Sequence, residues 1–101
     1  MSAGSDRGDG GDGIDAMLVE SLGRGDRVAR AVVVSAQGEE RVLLIWPAGH
    51  TYGDLGWPRL NQRVVLYAEQ LFEKGPREMT KVFDLPDGTR VAVRYEFPYL
   101  V

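Results

Sequence analysis

From Thr89 to Phe97 the chain alternates: Thr89, Val91, Val93, Tyr95 and Phe97 fall on one side, Arg90, Ala92, Arg94 and Glu96 on the other. A period of two with one apolar side is the mark of an antiparallel strand buried on one face and solvated on the other. Just before it, Leu85-Pro86-Asp87-Gly88-Thr89 is a turn with a mechanism, because proline presets φ and glycine accepts the left-handed position. These residues predict a C-terminal hairpin whose first strand is Met79–Leu85.

The runs at 27–36 and 41–46 carry a different code. Val32 and Val34 share one side and Ala31 and Val33 the other, while Leu43 and Ile45 likewise oppose Val42 and Leu44. Such β-branched runs around Gln37-Gly38-Glu39-Glu40 predict a hairpin with Gly38 in the turn. Because both of its sides are apolar, this hairpin needs cover on both faces, and in so short a chain a partner subunit is expected as the second cover.

Helical spacing appears twice. Ile14, Met17, Leu18 and Leu22 recur at i, i+3, i+4 and i+8, predicting a short helix over 14–22 that Gly23 can end. Leu60, Val64, Tyr67 and Leu71 form a longer stripe, backed by Arg59, Gln62, Arg63, Gln70, Glu73 and Lys74. Pro58 suits a first helical turn and Gly75-Pro76 a stop, so an amphipathic helix is expected over 58–74. Val64-Val65-Leu66-Tyr67 is β-prone, and if residues 62–70 were a strand the chain would be a small SH3- or Sm-like barrel with an N-terminal helix. The helical reading gives an α+β fold: N-terminal helix, hairpin, aromatic Gly/Pro loop, amphipathic helix and C-terminal hairpin. The two hairpins are expected to form a four-stranded antiparallel sheet with helix on one face.

Residues 1–13 are glycine- and aspartate-rich with nothing to bury, and are expected to be a disordered tail before a single globular domain at 14–101. Gly8–Gly13 fits the G-x-G-x-x-G pattern, but it follows no strand and its aspartates repel a pyrophosphate. Residues 10–18 match one calcium-binding nonapeptide repeat, which acts only in arrays. Arg-Gly-Asp occurs at 7–9 and 24–26 without the secretory context an adhesion motif needs.

Composition narrows the chemistry. The chain has no cysteine and one histidine, which excludes thiolate metal sites and argues against zinc, so neither a metal nor a cofactor is expected. The net charge of −3 does not favour a phosphate backbone as partner. No apolar run approaches the roughly 20 residues of a membrane span, and the first residues lack the regions of a signal peptide. A cytoplasmic protein without membrane contact is the expectation.

Both tryptophans and the single histidine sit in Trp46-Pro-Ala-Gly-His-Thr-Tyr-Gly-Asp-Leu-Gly-Trp-Pro58. Gly49, Gly53 and Gly56 argue against helix or strand there, yet the segment is too aromatic for a linker. His50 and Asp54 have the makings of a general base and its orienting carboxylate, but no second constellation supports catalysis, so no catalytic residue is assigned. Trp46, His50, Tyr52, Asp54 and Trp57, with Arg59 and Arg63 following, are the candidate partner- or ligand-binding residues. The plainer reading is that the tryptophans close the core over a sheet edge. The end of the chain, Phe97-Pro98-Tyr99-Leu100-Val101, is apolar, which marks Tyr99, Leu100 and Val101 as docked or at an interface. The functional expectation is a non-catalytic protein–protein interaction or regulatory module, a homodimer or the partner of another protein. An RNA-binding barrel and a small-ligand-binding domain are the alternatives.

Overall fold

In the computed structural model the described residues are 10–34 and 38–100, so most of the expected tail, and Val101, lie outside them. The elements follow as α1 (Gly10–Gly23), β1 (Ala29–Val34), β2 (Glu40–Ile45), β3 (Thr51–Gly53), α2 (Pro58–Lys74), β4 (Met79–Asp84), β5 (Arg90–Glu96) and a 3-10 turn, Pro98–Leu100. Helix α1 begins four residues before its apolar stripe, taking Gly10–Gly13 out of the expected tail.

The sheet has five strands in the order β3-β2-β1-β5-β4, all neighbours antiparallel. The fold is α+β as expected, with one strand more than the sequence suggested. The extra strand is β3, which pairs Thr51 with Ile45, Tyr52 with Leu44 and Gly53 with Leu43. Its glycine, which argued against a strand, is what lets it lie there: a Cβ on Gly53 would stand 2.4 Å from the Val42 carbonyl oxygen, and its φ is +109°.

Helix α2 forms where the stripe placed it, and the open sheet beside it replaces the barrel alternative. Trp57 caps its start in extended backbone with Pro58 at the first turn, and the Gly75 amide donates to the Leu71 carbonyl at its end. Leu60, Val64, Ala68 and Leu71 face the sheet and are buried against Ala31, Leu43, Val93 and Tyr95. Burying each such Leu or Val contributes about 1.5–3 kcal/mol, which is what holds a helix that propensity alone leaves marginal. The Tyr95 hydroxyl, fully buried, donates to the Val64 carbonyl at 3.0 Å, and burial pushes its pKa well above the ordinary tyrosine value.

The opposite face carries a second, smaller core. Val32, Val42, Leu44 and Trp46 are buried there with Ile14, and Met17, Leu18 and Leu22 pack on them. The second cover of the β1–β2 hairpin is therefore α1 of the same chain, not a partner subunit. The corrected picture has helices on both faces, because the stripe of α1 is just long enough to cap the doubly apolar strands.

Candidate functional site

The aromatic segment does not form one site: it crosses from one core to the other around β3. Trp46 lies in the α1-side core, 7% exposed, and its indole N–H donates to the Ser21 hydroxyl at 2.8 Å. Ser21, also buried, donates to Asp26 Oδ2 at 2.8 Å, and the Arg24 guanidinium donates to the same oxygen at 3.0 Å. The Ser21 hydroxyl bond and Arg24 hold the Asp26 carboxyl below its usual range. This relay fastens the C-terminal corner of α1 to the start of the loop.

His50 stacks on Trp46 with ring centroids 4.8 Å apart and planes 11° from parallel. It is exposed on the open side of that stack. Asp54, the carboxylate proposed to orient it, is engaged elsewhere. Its Oδ1 accepts from the Asn61 side-chain amide and the Gly56 N–H, each at 2.8 Å, and those bonds hold its pKa down. Asn61 in turn accepts the Leu55 amide at 3.0 Å. Asp54 and Asn61 thus clamp the loop onto α2, and no hydrogen bond joins His50 to Asp54 among the described residues.

Trp57 sits on the other side, half-buried against the main core. With Pro58, Arg59, Leu85, Pro86 and Asp87 it lines a cleft of about 470 Å³ where α2 meets the β4–β5 turn. Arg59 is exposed at its rim. Arg63 lies over the Phe83 ring at 5.5 Å and donates to the Asp84 carbonyl, tying α2 to the end of β4. Tyr52 is 41% exposed on β3, with its hydroxyl against Gly13 of α1. The seven candidates are therefore divided: Trp46, His50 and Tyr52 by α1, Trp57, Arg59 and Arg63 by the turn, with Asp54 between them.

At the chain end Tyr99 docks on its own fold, stacked on Phe72 and edge-on to Phe97, while Leu100 is exposed and Val101 lies outside the described residues. Among the described residues no group of three His, Cys, Asp or Glu side chains gathers as a metal site, and no helix is long and apolar enough to cross a membrane.

A surface that the sequence reading passed over is the part of the sheet beyond the reach of α1. That helix packs on β2 and β3, and among the described residues no helix covers the same face of β5 and β4, where Val82 and Ala92 are exposed. Val82 on β4 stands directly across from Ala92 on β5 and is 51% exposed. Val34, 55% exposed, is on the same face of β1, two residues beyond Val32, which pairs with Arg94. Charged neighbours frame this apolar row. Glu96 accepts from Arg30 at 2.7 Å and from Arg94 at 2.9 Å, and Arg90 donates to Asp84 at 2.8 Å. The signal was present in the sequence: Val82 and Ala92 occupy the polar phase of their strands, where an alternating strand has no need of them.

No protein-family model, curated protein or solved structure matches this chain.

Proposed function

We propose that the chain is a non-catalytic protein–protein interaction or regulatory module that binds its partner through the uncovered half of the sheet. The observation that carries this reading is the row Val34, Ala92, Val82, framed by the Arg30–Glu96–Arg94 and Arg90–Asp84 pairs. An apolar centre with a charged rim is the anatomy of an interface. The partner is a second copy of the chain or another protein. A photo-crosslinking residue at Ala92, in the protein's native cells, is expected to give an adduct of discrete mass that the same residue at exposed Glu73 does not give. No adduct at Ala92 contradicts the reading.

The small-ligand alternative draws on one observation, the cleft at Trp57, whose volume falls within the range of ligand pockets. In a Trp46→Phe background Trp57 is the sole tryptophan, and its emission reports any ligand entering that cleft. Emission that no small-molecule mixture alters leaves the interaction reading alone.

A further inference from the structure

We infer that the outer edge of β4, which pairs with no other strand among the described residues, pairs with the same edge of a second copy of this chain, antiparallel about a two-fold axis through Val82. This rests on the interaction reading above and names its partner.

The hydrogen bonding of the last hairpin fixes what the edge offers. The Leu85 amide donates to the Thr89 carbonyl and the Gly88 amide to the Leu85 carbonyl, so Leu85 turns its backbone groups toward β5. In an antiparallel pair the direction alternates, so Phe83, Lys81 and Met79 also face β5. Thr80, Val82 and Asp84 turn their N–H and C=O groups outward. That the Asp84 carbonyl accepts from Arg63 agrees with this assignment.

The two edges of the sheet differ in how they are guarded. The β3 edge is only three residues long. The β4 edge runs six residues with neither proline nor glycine. Its single lysine is folded over Tyr67, 4.8 Å from the ring centroid, and away from the edge, which Arg63 touches at the Asp84 carbonyl. An unguarded strand edge is a template for another strand.

Charge and chemistry select the register. An axis through Val82 sets Val82 against its own counterpart, Thr80 against the partner's Asp84 and Lys81 against the partner's Phe83. A hydroxyl then faces a carboxylate, and an ammonium faces the ring type it already covers at 5.5 Å. An axis through Lys81 opposes two ammonium groups and brings Glu78 against the partner's Asp84. An axis through Phe83 aligns Thr80 with the partner's Pro86, which has no N–H to give.

Only the Val82 axis also makes one apolar row across the joined sheets, Val34, Ala92 and Val82 meeting their counterparts in reverse order. Beside it Arg94, Thr80, the partner's Asp84 and the partner's Arg90 follow one another with no like charges adjacent. The Asp84 carbonyl keeps a lone pair for the partner's Thr80 amide while Arg63 holds the other.

The test uses a chain that contains no cysteine. Cα atoms of a hydrogen-bonded antiparallel pair lie about 5.5 Å apart, within disulfide reach. Under mild oxidation Val82→Cys is expected to form a covalent dimer and Thr80→Cys to stay monomeric. In sedimentation equilibrium the unmodified chain approaches double the monomer mass with rising concentration. Val82→Lys and Val82→Glu each remain monomeric with an unchanged far-ultraviolet spectrum, and an equimolar mixture of the two dimerises. A chain that is monomeric at all concentrations overturns the inference, as does a dimer that Val82→Lys leaves intact and Val82→Cys does not cross-link. In either case a discrete adduct from Ala92 keeps the interaction reading standing, whereas no adduct ends both.

Discussion

Apart from the β1 end at Val34 and the β2 start at Glu40 and Arg41, strands β1 and β2 are buried on both faces, under α2 on one side and α1 on the other, whereas among the described residues β5 and β4 are buried under α2 alone. The doubly covered half carries its apolar residues in both phases of the strand, and the singly covered half keeps them in one phase except at Val82 and Ala92. Where both faces are dry, an apolar residue tells only about stability. Where one face is wet, a valine in the wet phase has no folding task, and its presence there is information about partners.

The largest expected effect separates the halves by stability. Leu44, fully buried beneath α1, costs about 2–5 kcal/mol when replaced by alanine, because the removed atoms leave a cavity between two packed layers. Val82→Ala on the uncovered half shifts unfolding of the monomer by no more than about 0.5 kcal/mol, the usual scale for a surface position. Chemical denaturation of both variants at low protein concentration makes the comparison, and equal losses would mean that the uncovered face is packed after all.

A smaller effect is expected at the loop crossing. Trp46→Phe keeps an aromatic ring in the α1-side core but removes the indole N–H that the Ser21 hydroxyl accepts, at a cost of about 1 kcal/mol. Protection of α1 amides against hydrogen exchange should fall in this variant while β5 amides keep theirs. Tyr95→Phe reverses the pattern, costing about 1 kcal/mol through the lost bond to the Val64 carbonyl and loosening α2 rather than α1.

Acid gives the gentlest perturbation. The folded pKa of Asp26 and of Asp54 lies below the ordinary aspartate value of 3.8, so their contribution is complete above that pH and is lost as pH falls through the folded values. Stability measured down a pH series should hold to about pH 4 and then decline. Asp26→Asn, which cannot lose a charge, should decline less steeply, and an identical slope would show that the Ser21–Asp26–Arg24 relay does not carry the effect.

Much of this fold was legible because it was written in periodicity. The stripe from Leu60 to Leu71 gave α2, and the alternation from Val91 to Phe97 gave β5 with its solvated face. The two-sided apolar code of β1 and β2 called correctly for two covers, but periodicity does not say which element supplies them, and the short stripe of α1 was enough. Strand β3 was missed because Gly53 reads as a breaker in one dimension, while its close approach to the Val42 carbonyl exists only in three. The candidate site suffered from the same limit. Trp46 and Trp57 are neighbours in sequence, but a chain that turns around a sheet edge delivers them to opposite faces, and the Asp54 carboxylate was spent on Asn61 and Gly56.

Residue-resolved hydrogen exchange across a range of protein concentrations tests most directly whether the uncovered half is the part that associates. The outward-facing amides of Thr80, Val82 and Asp84 should exchange fast in dilute solution and slow together as concentration rises, while those of Lys81 and Phe83, already bonded to β5, stay slow throughout. Rates at Thr80, Val82 and Asp84 that do not change with concentration would contradict the account.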